Sequence, residues 1–436
     1  GARAVQMGTI FVASRESIAS EAYKNKIVKA KDIDSKVTGR STGHPVRTLR
    51  NKQTQEYLRR EAEGASFEEL EKLTLGGLKK AVVDGDVING SVMAGQIAGL
   101  VKEIRSCKEI VETLNADAEA LLNVMSKIAF LYPGQGAQTI GMGKDFYTQS
   151  AKAKKIYEKS NALLPMDIAS LCFEENSLLD RTDYTQAALV TTCLAMTEEI
   201  MEQGIKPDMT AGLSLGEYCA IVAAGGMSDE DAINTIWERG KLMHNAVPDG
   251  SGGMAAVLGL SAEAVNAVTD QEEDVFVANY NCPGQIVITG KKDAIDRVTP
   301  ALKEAGAKRV LPLKVSGPFH SPYLKEAGEK LYETLAQVEW KPLRIPYVTN
   351  VNAEVITEIE KTKDLLKAQV STAVHWEQSI RRMIEEGVDI FIEIGPGKTL
   401  SGFMRKIDRN VNMFKIGSME EMQTVTDKIK ELTQCC

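Results

Sequence analysis

The amino-acid sequence predicts an α/β protein of more than one domain, and three observations carry that prediction. Short apolar runs at residues 128–132, 209–212, 346–350 and 389–394 alternate with longer stretches of helical periodicity, the order expected of helices packed on a sheet. Residues 209–224 read as a strand end, a sharp turn and a helix around Gly212-Leu213-Ser214-Leu215-Gly216. Residues 253–315 run strand, helix, strand, strand, helix, strand, the order of a ferredoxin-like unit inserted in a larger α/β domain.

A chain of 436 residues has room for two or three domains, each burying its own core. No apolar run approaches the roughly 20 residues that span a bilayer, and no signal peptide is visible, so no membrane partner is expected. The seven cysteines are odd in number, scattered and without metal-ligand spacing, which fits a reduced, cytoplasmic protein. A formal charge of −8 argues against nucleic acid as a partner, and an acidic partner would need a local basic patch. The first residue is Gly1 and not methionine, which fits a piece of something longer.

In chain order, residues 1–12 read as a buried strand running into a glycine turn and a short helix, and residues 31–43 as polar and turn-rich. Helices are expected over 52–63, 67–83 and 106–124, with a glycine-rich loop at 85–99 leading into a helix. One strand among several helices makes no sheet, so the region reads as incomplete. Its segments VQMGTIFV, GHPVRTL and AVVDGDVINGSVMAGQIAGLV are specific. On them, residues 1–124 resemble the C-terminal part of flavin-dependent enoyl-ACP reductases, FMN-binding TIM barrels that are similar to nitronate monooxygenases. The resemblance implies that Gly8 and Thr9 belong to the phosphate-binding turn after the last barrel strand, and that Gly95 and Gln96 approach the flavin. A complete barrel needs about 250 residues, so an incomplete barrel is expected here, with FMN bound only if it were complete. The resemblance places the family's catalytic histidine upstream, and this chain alone is expected not to reduce enoyl thioesters.

In the remainder, the strand at 128–132 enters Pro133-Gly134-Gln135-Gly136, a loop whose glycines bring backbone N–H groups over the sheet. A helix at 185–203 stops at Gly204. Glycines two residues either side of Ser214 let the turn lift its hydroxyl clear. The Leu215 N–H then stands at a helix N-terminus, where it can stabilise a developing oxyanion. The helix at 229–246 carries Arg239 among Trp237, Gly240, Leu242 and Met243, a setting for a partly buried, paired guanidinium. A serine nucleophile needs a base, and four histidines are available. His44 lies in the N-terminal region, His244 on a helix surface and His375 beside Trp376 at a helix start. His320, between prolines in SGPFHSP, can aim its ring back over the sheet and is favoured on the residues alone.

Seven blocks, YPGQGAQ, GLSLGEY, WERGKLM, NYNCPGQ, GPFHSPY, VTNVNAE and EIGPGKTLSGF, stand in an order and at a spacing that resemble the malonyl-CoA:ACP transacylases over residues 126–420. The resemblance implies an α/β-hydrolase-like core with the ferredoxin-like insertion, and transfer of malonyl from malonyl-CoA to acyl carrier protein in type II fatty acid biosynthesis. It makes Ser214 the acylated nucleophile, His320 its base and later acid, and the Gln135 and Leu215 N–H groups an oxyanion hole. Arg239 would pair with the malonyl carboxylate, the Gln369 carbonyl would orient the histidine, and Asn279 and Asn281 would help shape the cleft. No cofactor is implied for this step, and the transacylase domain is expected to be monomeric. Leu213 departs from the family's histidine before the serine; its side chain should point away from the hydroxyl, so tuning is expected and not loss. Because acyl carrier proteins are acidic, Lys308-Arg309 and Arg405-Lys406 are the expected docking cations. Met125 reads as a former start site at the join of two enzymes of one pathway. The expected domains are 1–125, a core of 126–252 with 316–436, and an insertion of 253–315.

Overall fold

The structure, a computed structural model, describes residues 7–31, 33–122, 126–248, 250–313, 315 and 317–434. The chain forms two compact units, Gly1–Met125 and Ser126–Cys435. Met125 and the strand expected within residues 1–6 lie outside the described residues.

The first unit contains α1 (Thr9–Val12), α2 (Glu21–Val28), β1 (Ser35–Thr38), β2 (Val46–Leu49) and α3 (Lys52–Ala62). It continues with α4 (Phe67–Thr74), α5 (Gly77–Val82) and α6 (Cys107–Leu122). Two expectations are corrected here. The single helix over 67–83 is two helices, because Gly76 takes a left-handed φ of 75° that ends one and starts the next. The polar stretch 31–43 contains β1, which pairs antiparallel with β2, so a small hairpin stands where no sheet was expected. Tyr23, Ile27, Leu49, Ala81 and Val92 form the buried core. Among the described residues of this unit the hairpin is the only sheet.

The second unit begins with β3 (Lys127–Tyr132), α7 (Lys144–Gln149), α8 (Ala151–Leu163), α9 (Ile168–Phe173) and α10 (Thr182–Glu202). Next come β4 (Met209–Gly212), α11 (Gly216–Ala223) and α12 (Asp229–His244). A second sheet and its helices follow: β5 (Gly252–Leu258), α13 (Ala262–Thr269), β6 (Val275–Cys282), β7 (Gln285–Lys291), α14 (Lys292–Glu304) and β8 (Arg309–Pro312). The chain then returns through α15 (Lys325–Leu335), β9 (Tyr347–Val348), β10 (Val355–Ile356), α16 (Thr362–Gln369) and α17 (Trp376–Glu385). It ends with β11 (Val388–Ile394), α18 (Thr399–Ile407), β12 (Asn412–Ile416) and α19 (Met419–Gln434).

The larger sheet has the order β10-β9-β4-β3-β11-β12 and is parallel except for β10. Its central strands β3, β4 and β11 are buried almost throughout, because helices cover both faces and the strands read as continuous apolar runs. The strand expected over 346–350 shrinks to the two residues of β9, since the next residues turn away to build the site. The smaller sheet is antiparallel with the order β6-β7-β5-β8, and α13 and α14 pack on it around Val257, Val265, Ile288 and Val298. Helix α10 is buried along most of its length and lies close against α12, where a Cβ on Gly240 would come within 2.8 Å of Asp183 Cα. That close approach turns the Arg239 side of α12 inward. α12 itself starts on a Ser228 N-cap with Asp229, Glu230 and Asp231 in its first turn, which favours the helix dipole. Among the described residues no helix is long and apolar enough to cross a membrane.

Candidate active site

The turn between β4 and α11 is shaped by close backbone approaches that exclude any side chain. A Cβ on Gly212 would fall 1.9 Å from the Gly216 carbonyl carbon, and one on Gly216 would fall 2.4 Å from Tyr132 O. Between them Ser214 takes φ 54°, a left-handed conformation uncommon for a residue with a Cβ. His320 does the same at φ 58°. Strain of this kind concentrates at functional sites, where surrounding structure over-determines it.

The two strained residues meet. Ser214 Oγ lies 2.8 Å from His320 Nε2, and His320 Nδ1 lies 2.8 Å from the Gln369 carbonyl oxygen. A carbonyl only accepts, so Nδ1 carries the proton and Nε2 is left as an acceptor facing the serine hydroxyl. His320 is buried, and burial, followed by the nearby Arg239 charge, pulls its pKa down to about 4. The ring is therefore neutral near pH 7.

Arg239 completes the group from α12. It is 1% exposed, and its Nη1 donates to Gln186 Oε1 at 2.6 Å. Nη2 donates to Gln369 Oε1 at 2.9 Å and to Ser214 Oγ at 3.1 Å. Among the described residues no carboxylate stands within ion-pair distance, and Nε has no hydrogen-bond partner. Burial lowers its pKa. Beneath the turn, Glu217 is fully buried, and desolvation raises its carboxyl to about 7.

The remaining expected residues fall as follows. Leu215 is the N-cap of α11, and among the described residues neither its N–H nor that of Gln135 makes a hydrogen bond. The Gln135 loop is pressed against the turn, since a Cβ on Gly134 would lie 2.8 Å from Leu213 O. Asn279 and Asn281 sit on β6; Asn279 bridges Val374, and neither bonds to Ser214, His320 or Arg239. His375 stacks on Tyr280 at 5.1 Å, His44 packs against Phe67, and His244 ends α12, so none of the three joins the serine. Gln186, Glu217 and Asn350 belong to the cluster but escape the sequence reading. Glu217 and Asn350 lie inside the blocks GLSLGEY and VTNVNAE with no role read for them, and Gln186 is marked only as a polar residue in the mostly apolar α10. Lys308 and Arg309 are exposed at the start of β8, and Arg405 and Lys406 are exposed on α18.

In the first unit the Gly95 N–H donates to Thr9 Oγ1 at 2.7 Å, which brings together the two segments expected beside a flavin. The described residues supply that one turn, with the four-residue α1, and a hairpin in place of barrel strands. An FMN-binding barrel needs more strands than the described residues supply.

An acceptor histidine on a strained serine, with two N–H groups free and a buried cation without a carboxylate among the described residues, defines a class: the serine-dependent acyl-transfer proteins. Residues 129–427 match the acyl transferase domain family, and residues 1–117 match the nitronate monooxygenase family. The chain is 46% identical over 312 residues to the malonyl CoA-acyl carrier protein transacylase of Bacillus subtilis (strain 168), covering 70% of this chain and 98% of that protein. MCAT from Streptococcus pneumoniae is 44% identical with a TM-score of 0.67, over 69% of this chain and all (100%) of that one. A malonyl-transacylase in complex with a type II PKS acyl-carrier protein is 34% identical with a TM-score of 0.68, over 70% of this chain and 100% of its own. The chain belongs to the acyl transferase domain family and, within it, to the malonyl CoA-acyl carrier protein transacylases.

Proposed function

We infer that the chain moves a malonyl group from malonyl-CoA to the phosphopantetheine thiol of acyl carrier protein, through a malonyl ester on Ser214, in type II fatty acid biosynthesis. The observation that carries the acidic acyl group is Arg239: a buried guanidinium, 3.1 Å from Ser214 Oγ, with no carboxylate at ion-pair distance among the described residues. Its planar fork suits a carboxylate.

His320 Nε2 takes the hydroxyl proton as Ser214 Oγ attacks the thioester carbonyl. The Gln135 and Leu215 N–H groups receive the oxyanion, the C–S bond breaks, and the leaving thiolate takes the proton from His320. The carrier thiol then gives its proton to His320 and attacks the ester, and Ser214 leaves with that proton. The Gln369 carbonyl keeps the imidazolium oriented, the part a carboxylate plays in other triads. Every proton and acyl movement uses protein groups, so no cofactor is needed.

The domain reading is 126–252 with 316–436 as an α/β-hydrolase-like core, 253–315 as a ferredoxin-like insertion, and 1–125 as part of a reductase-like TIM barrel. The order β6-β7-β5-β8 supports the insertion, and the parallel sheet with Ser214 after β4 supports the core. Asn279 and Asn281 are read as shaping the cleft through the Val374 bridge. The transacylase domain is read as monomeric and cytoplasmic, and five free thiols among the described residues accord with the second of these. The test is direct: mass spectrometry after mixing with malonyl-CoA should find malonyl on the peptide containing Ser214, and Ser214→Ala should abolish it. An unmodified serine, or a label elsewhere, overturns the mechanism.

A further inference from the structure

Both backbone polar groups of Ser214 are fastened by side chains from distant parts of the chain. Its N–H donates to Asn350 Oδ1 at 2.6 Å, and its carbonyl accepts from Gln369 Nε2 at 2.9 Å. These two residues meet again on a third. Glu217 Oε2 accepts the Asn350 N–H at 3.2 Å and Gln369 Nε2 at 2.6 Å. We propose that Glu217 is a positioning residue for acyl transfer: one buried carboxylate oxygen anchors the two clamps that hold Ser214 in its left-handed conformation.

The proposal rests on the reading of Ser214 as the acylated residue. A serine at positive φ relaxes toward ordinary backbone geometry unless its neighbours forbid it. Here the clamps act on its N–H and C=O, which set the direction of Cβ and so of Oγ. Asn350 also donates Nδ2 to Gly212 O at 2.7 Å, so the same cluster fixes the strand end that feeds the turn. Oε2 presents only acceptor capacity to Gln369, which fixes that amide with Nε2 toward Glu217 and Oε1 toward Arg239. Oε1 of Glu217 has no partner among the described residues, so a proton there leaves the Oε2 clamp intact. A glutamine at 217 keeps one acceptor oxygen in that place and should serve nearly as well. An apolar side chain of similar volume should not.

The test uses the full chain with Glu217→Met, which conserves volume, and Glu217→Gln. The rate of Ser214 modification by phenylmethanesulfonyl fluoride reads serine–histidine geometry with no acyl carboxylate for Arg239 to bind. Malonyl-CoA kinetics give kcat and KM, and thermal melting gives the folded fraction. Glu217→Met should lower the labelling rate and kcat per folded molecule about 10- to 100-fold, the size expected on losing a buried hydrogen bond to a charged group. KM for malonyl-CoA should move by less than about threefold, because Arg239, to which the acyl carboxylate is assigned, keeps its Nη1 bond to Gln186 Oε1 when Glu217 is changed. Glu217→Gln should restore both rates to within about threefold of wild type, since one oxygen acceptor remains. Folded Glu217→Met that labels at the wild-type rate overturns the proposal, as does Glu217→Gln as impaired as Glu217→Met. If Glu217→Met does not fold, Asn350→Ala removes one clamp directly, and wild-type labelling in that folded variant overturns the proposal equally. Wild type that is not labelled at Ser214 overturns the nucleophile reading itself, and the clamp with it.

Discussion

A guanidinium with 1% exposure and, among the described residues, no carboxylate at ion-pair distance is half of a pair. Burying such a charge is unfavourable unless its ligand completes it, so Arg239 should select the acyl group more than it supports the fold. Arg239→Ala should lower kcat/KM for malonyl-CoA by roughly 10²-fold or more, the usual loss for one partner of a buried charge pair. Acetyl-CoA turnover should hold or rise, and equal loss on both substrates would favour a general hydrolytic site. His320 makes a pH prediction. Its folded pKa of about 4 lies below the 6.5 of a free histidine, so the unfolded chain binds more protons between those values. Its share of stability is therefore present above pH 6.5 and is lost as pH falls through that window toward 4. The acylation rate, followed by single-turnover release of coenzyme A, should stay level down to about pH 5 and fall with an apparent pKa near the folded value. A limb at the free-histidine value would mean a solvated ring. Ser214, His320 and Arg239 were legible in the sequence because motif blocks mark them, and Gln369 only through what the resemblance implies. The contacts of Gln186 and of Asn350, though the latter lies in VTNVNAE, were not, because their partners Arg239 and Ser214 stand 53 and 136 residues away and no local pattern announces them.

At the scale of elements, the turn from β4 to α11 is legible because glycine is forced there. The backbone of β3 passes so close that a Cβ on Gly216 would sit 2.4 Å from Tyr132 O and 2.8 Å from Pro133 O. Neither atom can move without breaking the central strand. Gly216→Ala should destabilise the chain by about 3 kcal/mol or more and remove acylation, as overpacking a rigid backbone contact does. Gly402→Ala in α18 is the matched control. Among the described residues no heavy atom beyond its chain neighbours and its own helix backbone lies within 4 Å of its added Cβ, and the substitution should stabilise by about 0.5–1 kcal/mol. Denaturant midpoints check both, and a mild effect at Gly216 would show that the turn has room to relax. Elements without such constraints were harder to read. The break between α4 and α5 depends on a single left-handed glycine in an otherwise helical pattern. β9 and β10 are two residues each, too short for any periodicity to show. β12 pairs at the sheet edge with half-buried residues and carries no strong alternation.

At the scale of the whole molecule, charge decides how a net-negative chain meets an acidic carrier. The formal charge of −8 repels such a partner at long range, so docking needs cations gathered at one place. Sequence separates the two basic pairs widely, and only the register of the smaller sheet relates them. Leu258 pairs with Gln285 on one side and with Arg309 on the other, while Lys406 Nζ reaches Gln285 Oε1 at 3.3 Å. Two strand spacings, roughly 10 Å, therefore separate the Arg309 and Gln285 backbones. Lys308, Arg309 and Lys406 thus share one end of the smaller sheet, exposed, and none of them forms an ion pair among the described residues. The charge-reversed Lys308→Glu, Arg309→Glu double variant should raise KM for acyl carrier protein by about tenfold, the scale of two exposed charges turned repulsive. KM for malonyl-CoA should stay within about twofold, because the proposed acylation step uses the serine turn and Arg239 and not this edge. The difference between variant and wild type should shrink as salt rises toward 1 M, where the screening length is about 3 Å. Steady-state kinetics with each substrate varied in turn at two ionic strengths measure all three effects, and equal damage to both substrates would place the carrier elsewhere.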